Sequence, residues 1–189
     1  MRKPLGDIAE IGVGHSFRSG IKNDAHGNIR VLQIRDIRDS DHIQPANLSR
    51  ILWPGESKPP LLKPGDVVMP ARGDRYDAAL IRDRVPMLAS GQIYVLHPAN
   101  SSVLSEYLCW YLNQPESRNY ILKNRAGTGM PSLSRQVLGD LPVPVPALET
   151  QRKIIALQLL WQQEQFLTQQ LLANRQKMLD SLFNKLLES

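Results

Sequence analysis

Pro142-Val143-Pro144-Val145-Pro146-Ala147-Leu148-Glu149-Thr150-Gln151-Arg152-Lys153-Ile154 divides the chain into two kinds of sequence. Residues 147–189 contain neither Gly nor Pro, so residues 1–146 hold all 12 glycines and all 14 prolines. Proline fixes φ and lacks a backbone donor, so the Pro142–Pro146 run reads as an extended lead-in to a helix start. The chain beyond Pro146 is rich in Leu, Gln, Ala and Lys, which are good helix formers. Residues 147–189 therefore predict one helix of about 40 residues, on the order of 60 Å at ~1.5 Å per residue. The expected organisation is a globular head, 1–146, carrying a helical rod, 147–189.

Ile154, Leu157, Trp161, Leu171, Met178 and Leu182 fall on one alternating three-and-four register of the rod, with Glu164, Thr168 and Arg175 filling the gaps. Ile155, Leu159, Leu160, Phe166, Leu167 and Leu172 form a second stripe, so the apolar face is wider than a two-position seam and suits packing on more than one helix. Gln158, Gln162, Gln163, Gln165, Gln169, Gln170 and Gln176 make the other side polar. So much exposed Leu, Trp and Phe needs cover. A head of this size has little surface along which to lay ~60 Å of helix. Self-association as a coiled coil or bundle, or a partner protein, is the expectation.

The 189 residues carry a net charge of +5, and 42% are hydrophobic, enough for a real core in the head. Residues 1–90 carry 14 Lys/Arg against 11 Asp/Glu, residues 91–146 carry 4 against 3, and the rod 5 against 4. The basic excess is mostly in the head. Fifteen of the 23 basic residues are Arg, whose planar fork suits phosphates and guanine edges. The single Cys109 lies in apolar Tyr107–Leu112 and reads as a structural thiol. It permits no intrachain disulfide and, with no signal-like N-terminus and no run of ~20 apolar residues, predicts a cytoplasmic, non-membrane protein.

Along the head, short strands are expected at Arg30–Ile34, Val67–Met69, Ala78–Ile81 and Ile93–Leu96, with Arg35–Asp39 as a charged exit and 40–60 irregular. Leu104, Tyr107, Leu108, Tyr111 and Leu112 have helical spacing, Pro115 breaks that helix, and 116–125 resumes another. Strands, then helices, then a rod predict an α+β head with a long C-terminal helix.

Enzyme chemistry is sparse. His15, His26, His42 and His97 are scattered and lack Cys partners at metal-ligand spacing, so no metal, cofactor or catalytic group is expected. Gly12-Val13-Gly14 lacks the rest of a phosphate-loop pattern. Asp41 with Glu56-Ser57-Lys58 loosely matches the acid…acid-x-Lys spacing of Mg²⁺-dependent nucleases, but between Gly55 and Pro59 rather than on a rigid strand. Binding chemistry is richer. Loops 15–20, 70–77 and 125–132 supply Arg18, Arg72, Arg75 and Arg125 for phosphates or base edges, joined by Arg35. Ser16, Ser19, Thr128 and Ser132 offer hydroxyls, and Phe17 and Tyr76 could stack or touch a thymine methyl. Asp66, Asp74 and Asp77 could orient the arginines.

Pro4–Ile8 with a Gly-containing loop, Leu62–Val68 followed by Arg72-Gly73, and above all the passage from Gly127 through Leu138-Gly139-Asp140-Leu141-Pro142 to Glu149–Ile154 resemble the specificity subunits of type I restriction-modification systems. The resemblance covers essentially the whole chain. It implies a non-catalytic target recognition domain, 1–146, and a helical spacer, 147–189. Its implied partners are double-stranded DNA, adenine methyltransferase subunits and a restriction subunit, directed to a bipartite site. Such subunits usually hold two recognition domains and two spacers; this chain has one of each. For a half-subunit the resemblance implies a homodimer through the rods, parallel or antiparallel; an antiparallel two-fold pair would place the heads at opposite ends, spaced to meet two half-sites. A metal-dependent nuclease on Asp41, Glu56 and Lys58, and an interaction protein that binds no DNA, remain as alternatives.

Overall fold

The computed structural model describes residues 1–38, 43–53, 58–127 and 129–188. The chain divides into two compact units, Met1–Gln151 and Arg152–Ser189.

The first unit is α+β. Among the described residues its strands are β1 (Arg2–Pro4), β2 (Ala9–Val13), β3 (Ile29–Leu32), β4 (Ser49–Ile51), β5 (Val67–Pro70), β6 (Ala79–Leu80), β7 (Met87–Ala89), β8 (Ile93–Pro98) and β9 (Pro142–Pro144). The helices are α1 (Leu5–Ile8), α2 (Ile34–Arg38), α3 (Ser105–Leu112), α4 (Pro115–Asn124), α5 (Arg135–Gly139) and α6 (Leu148–Leu187). One sheet has the order β2-β8-β5-β6, all antiparallel; a second has β4-β3-β7, with β3 and β7 parallel; β1 and β9 form a two-stranded ribbon.

Side chains alternate across a strand, and here the alternation sorts two layers. Ile93 and Val95 of β8 and Val68 of β5 join Leu32, Met87 and Ala89 in a core between the two larger sheets, closed by Ile37, Ile43, Leu48, Leu62 and Ile81. Tyr94 points the other way, where its hydroxyl donates to the Leu133 carbonyl at 2.7 Å. Helix α3 packs on β5 and β6 through that second layer, burying Tyr107, Leu108, Tyr111 and Leu112. Asn113 binds it to the loop before β6: its amide donates to the Ala78 carbonyl at 2.8 Å and its oxygen accepts the Ala78 N–H at 2.9 Å.

Several local readings change. The charged exit Arg35–Asp39 is helical as far as Arg38, because Asp36 caps its own turn by accepting the Gln33 N–H at 2.8 Å. Ala9–Val13, given no strand from sequence because Gly12 and Gly14 interrupt its apolar residues, is β2 and runs fully paired along β8; Gly12 is tolerated because the ladder, not a side chain, holds it. β4 arises in the stretch read as irregular and β7 in one given no strand, and in both neighbouring strands supply the pairing. The Pro142–Pro144 lead-in is extended, and it is also paired to β1. Among the described residues no helix is long and apolar enough to cross a membrane.

Helix α6 starts within the first unit, where Gln151 is fully buried. Its amide donates to the Ser102 and Pro146 carbonyls at 2.7 and 2.8 Å, and its oxygen accepts the Leu104 N–H at 2.9 Å. In the second unit the helix is regular to Leu187, and Leu157, Trp161, Leu171, Met178 and Leu182 are about half exposed or more, Leu157 reaching 67%. Ile154 is half-buried.

Candidate nucleic-acid interface

The topology gathers loops at one end of the two larger sheets. β2 and β5 both run antiparallel to β8, so their C-terminal ends meet the N-terminal end of β8. β3 and β7 run parallel and end beside each other. β7 passes into β8 through Ser90-Gly91-Gln92, and that turn is the hub. Ser90 N–H donates to the Leu32 carbonyl at 2.9 Å, holding the start of α2. The Gly14 and His15 N–H groups donate to the Ile93 and Ala89 carbonyls at 2.9 and 2.8 Å, holding loop 15–20. Ala71 N–H donates to the Gln92 carbonyl at 2.8 Å, holding loop 70–77.

Two glycines let these backbones touch. A Cβ on Gly14 would stand 2.2 Å from the Ser90 carbonyl oxygen, and one on Gly91 would stand 2.6 Å from Ser16 Oγ. No larger residue fits Gly14 without moving the turn.

Loop 125–132 joins through loop 70–77. Gly73 N–H donates to the Pro131 carbonyl at 2.8 Å, Leu133 N–H to the Ala71 carbonyl at 2.9 Å, and Ala126 and Ser132 exchange backbone hydrogen bonds. Gly73 and Gly127 supply the positive φ these bends need, 104° and 96°. Arg125 Nη1 reaches back to the Gly73 carbonyl at 3.4 Å and lies 3.9 Å from Asp74.

The candidate side chains divide by environment. Arg72 and Arg18 are exposed, and neither has an acidic partner among the described residues; Arg72 Nη1 lies 3.9 Å from Met130 Sδ. Arg75 is exposed but held by Asp77 through Nε at 3.0 Å and Nη2 at 2.9 Å, and Asp77 also takes Arg118 at 2.8 Å. Asp77 thus orients Arg75, as anticipated, whereas Asp66 meets neither Arg72 nor Arg75. It is buried at the far end of β8, where it meets His97 at 2.6 Å and accepts the Lys63 N–H. Arg35 points outward with Nη2 donating to Ser49 Oγ at 3.2 Å. Ser16 and Ser19 are exposed.

Two aromatic candidates are placed differently from expectation. Tyr76 is only 4% exposed, and its hydroxyl donates to the Pro131 carbonyl at 3.2 Å. It is a brace between two loops and is closed to a base, because the apolar ring was more stably buried than solvated. Phe17 is half-buried against Ile29, Val31 and Leu88, with its edge against His15 at 4.9 Å, and His15 in turn meets Trp53 at 5.0 Å. Ser132 contributes its backbone to the loop pairing. Thr128 lies outside the described residues, as do Asp41, Glu56 and His42; Lys58 is exposed.

Sequence reasoning passed over Gln92, exposed at the hub, and Met130, 66% exposed beside Arg72. Ser-Gly-Gln between two apolar runs was the signal for the turn. Chemically the surface offers guanidinium, hydroxyl and amide donors on a rigid backbone. Among the described residues no cluster of His, Cys, Asp and Glu could hold a metal ion. The Cys109 thiol, donating to the Ala78 carbonyl, is pushed up to about 12, chiefly by burial.

A family model described as the type I restriction modification DNA specificity domain matches residues 1–160. A chain from a structure concerned with complex assembly and conformational transition of the type I R-M system is similar at 22% identity, with a TM-score of 0.65 over 87% of this chain and 38% of that one. The HsdS subunit from Thermoanaerobacter tengcongensis matches at 23% identity, with a TM-score of 0.60 over 87% of this chain and 37% of its own. The S subunit from M. genitalium gives the same TM-score at 9% identity over 86% and 39%. This chain thus spans under two fifths of the length of these solved structures. No curated protein sequence matches it.

Proposed function

The chain belongs to the type I restriction modification DNA specificity family, and from that premise we propose that the Met1–Gln151 unit reads one half of a bipartite duplex site with the loops around Ser90-Gly91-Gln92. One observation carries the reading: loops far apart in sequence are tied by backbone hydrogen bonds into one rigid surface from which Arg18 and Arg72 project without acidic partners among the described residues. Phosphates take such cations, and base edges take the guanidinium forks, the hydroxyls and the Gln92 amide.

The chain contributes recognition and no catalysis; adenine methyltransferase subunits, and a restriction subunit, act on the DNA it selects in the cytoplasm. Helix α6 serves as spacer and dock. Its wide apolar face supports pairing with a second copy, and two heads related by a two-fold axis take a symmetric, interrupted site.

The test is duplex binding by the full chain, alone and with a type I methyltransferase subunit, across a salt series. Binding should weaken steeply with salt, and Arg72→Ala with Arg75→Ala should flatten that slope. Binding that ignores both salt and the arginines would leave the rod as a docking element of a protein that does not read DNA.

A further inference from the structure

The apolar register of α6 is interrupted along its middle by two charges, Glu164 and Arg175, both exposed and with no partner among the described residues, and a third, Lys185, falls on it in the last turn. Charges inside a helix seam cost stability unless each meets its opposite, and they are the usual means by which such seams choose partner and alignment. Any occupant of this face has to answer both.

In a parallel, in-register pair Glu164 faces Glu164 and Arg175 faces Arg175, which is repulsive twice over. In an antiparallel pair, residues of one seam position face those of the other. Only certain alignments, one heptad apart, keep every seam residue opposite another. One of them sets Glu164 opposite Arg175 of the second copy, and by symmetry Arg175 opposite Glu164. The same alignment sets Trp161 against Met178, Leu157 against Leu182, Thr168 against Leu171 and, at the helix ends, Ile154 against Lys185, whose long stem carries its ammonium out to water. Sliding one heptad in one direction puts Arg175 opposite Leu157 and Glu164 opposite Thr168. Sliding in the other puts Arg175 opposite Leu171 and Glu164 opposite Leu182.

We infer that Glu164 and Arg175 are a self-recognition code: they select a second copy of this chain, antiparallel, with the two-fold axis passing between Gln169 and Gln170. Two charges of opposite sign, placed about a point two residues from the middle of the helix, answer each other twice in a two-fold self-pair that overlaps along nearly the whole helix, whereas a foreign helix would have to supply both partners itself. Leu160, Leu167 and Leu172 flank the seam, Leu159 and Phe166 fall on the opposite face, and both sets remain for further helices. The inference rests on the homodimer reading proposed above and adds its polarity and register.

The experiment is sedimentation of the full chain with reciprocal charge exchanges. Wild type should be a dimer at micromolar concentration. Glu164→Arg and Arg175→Glu should each weaken it by about tenfold or more, since each creates two like-charge contacts. The double exchange, and an equimolar mixture of the two single variants, should restore dimerisation. Leu157→Cys mixed with Leu182→Cys should form a disulfide-linked heterodimer on oxidation, and Leu157→Cys alone should not. Circular dichroism confirms that each variant remains helical. A wild-type monomer would overturn the homodimer reading. A wild-type dimer indifferent to both single exchanges, or one cross-linked by Leu157→Cys alone, would leave the dimer standing and overturn the code.

Discussion

Tyr76 donates its hydroxyl to the carbonyl of Pro131 at 3.2 Å, from a position only 4% exposed, and so holds loop 70–77 against loop 125–132. Tyr76→Phe keeps the ring and leaves the Pro131 carbonyl without this donor. We expect a loss of about 1 kcal/mol in urea unfolding. Duplex affinity should fall less than with Arg72→Ala, because Tyr76 acts only by placing the loops.

Gly14→Ala should cost more. The new methyl would stand 2.2 Å from the Ser90 oxygen and 2.5 Å from that of Ala89, both backbone atoms in the hub. We expect a destabilisation of about 2–4 kcal/mol, and weakened binding wherever the variant still folds. Gly20→Ala is the control, since nothing lies within 4 Å of the added carbon.

Gln151 makes three hydrogen bonds from a fully buried side chain. Removing it in Gln151→Ala strands the Leu104 N–H and two carbonyls, so a loss of about 2–4 kcal/mol is expected on thermal or urea unfolding. Gln165→Ala, on exposed helix, should change stability by no more than about 0.5 kcal/mol.

Burial raises the Cys109 thiol to about 12 from its ordinary 9.0, and raises the Tyr94, Tyr107 and Tyr111 hydroxyls above 10.0. The folded state therefore keeps protons that the unfolded chain releases. Stability should be fully present below the unfolded value of 9.0 and fall as pH rises from there toward 12. At pH 8 a thiol reagent should label the native chain far more slowly than the unfolded one. Equal rates would contradict the raised thiol.

The rod was legible because helix formation is local: absence of Gly and Pro after Pro146, and a three-and-four apolar rhythm, suffice for α6. Much of the head was legible in kind, since Val67–Met69 and Ile93–Leu96 carry their own apolar runs. β2, β4 and β7 were not, because weak strand sequences become strands through partners far along the chain. The same limit applies to the loops. Arg72, Ser16 and Arg125 are visible as loop chemistry, but that Ser90-Gly91-Gln92 ties their loops together depends on sheet order. The burial of Tyr76 depends on Pro131, 55 residues away.

The most direct test is selection from a pool of duplexes with a randomised core, using the full chain with a methyltransferase subunit. An inverted repeat with a fixed gap should be enriched, and Arg72→Ala with Arg75→Ala should abolish the enrichment. A pool that emerges unenriched, or one enriched equally by the arginine variant, would contradict reading of DNA by this surface.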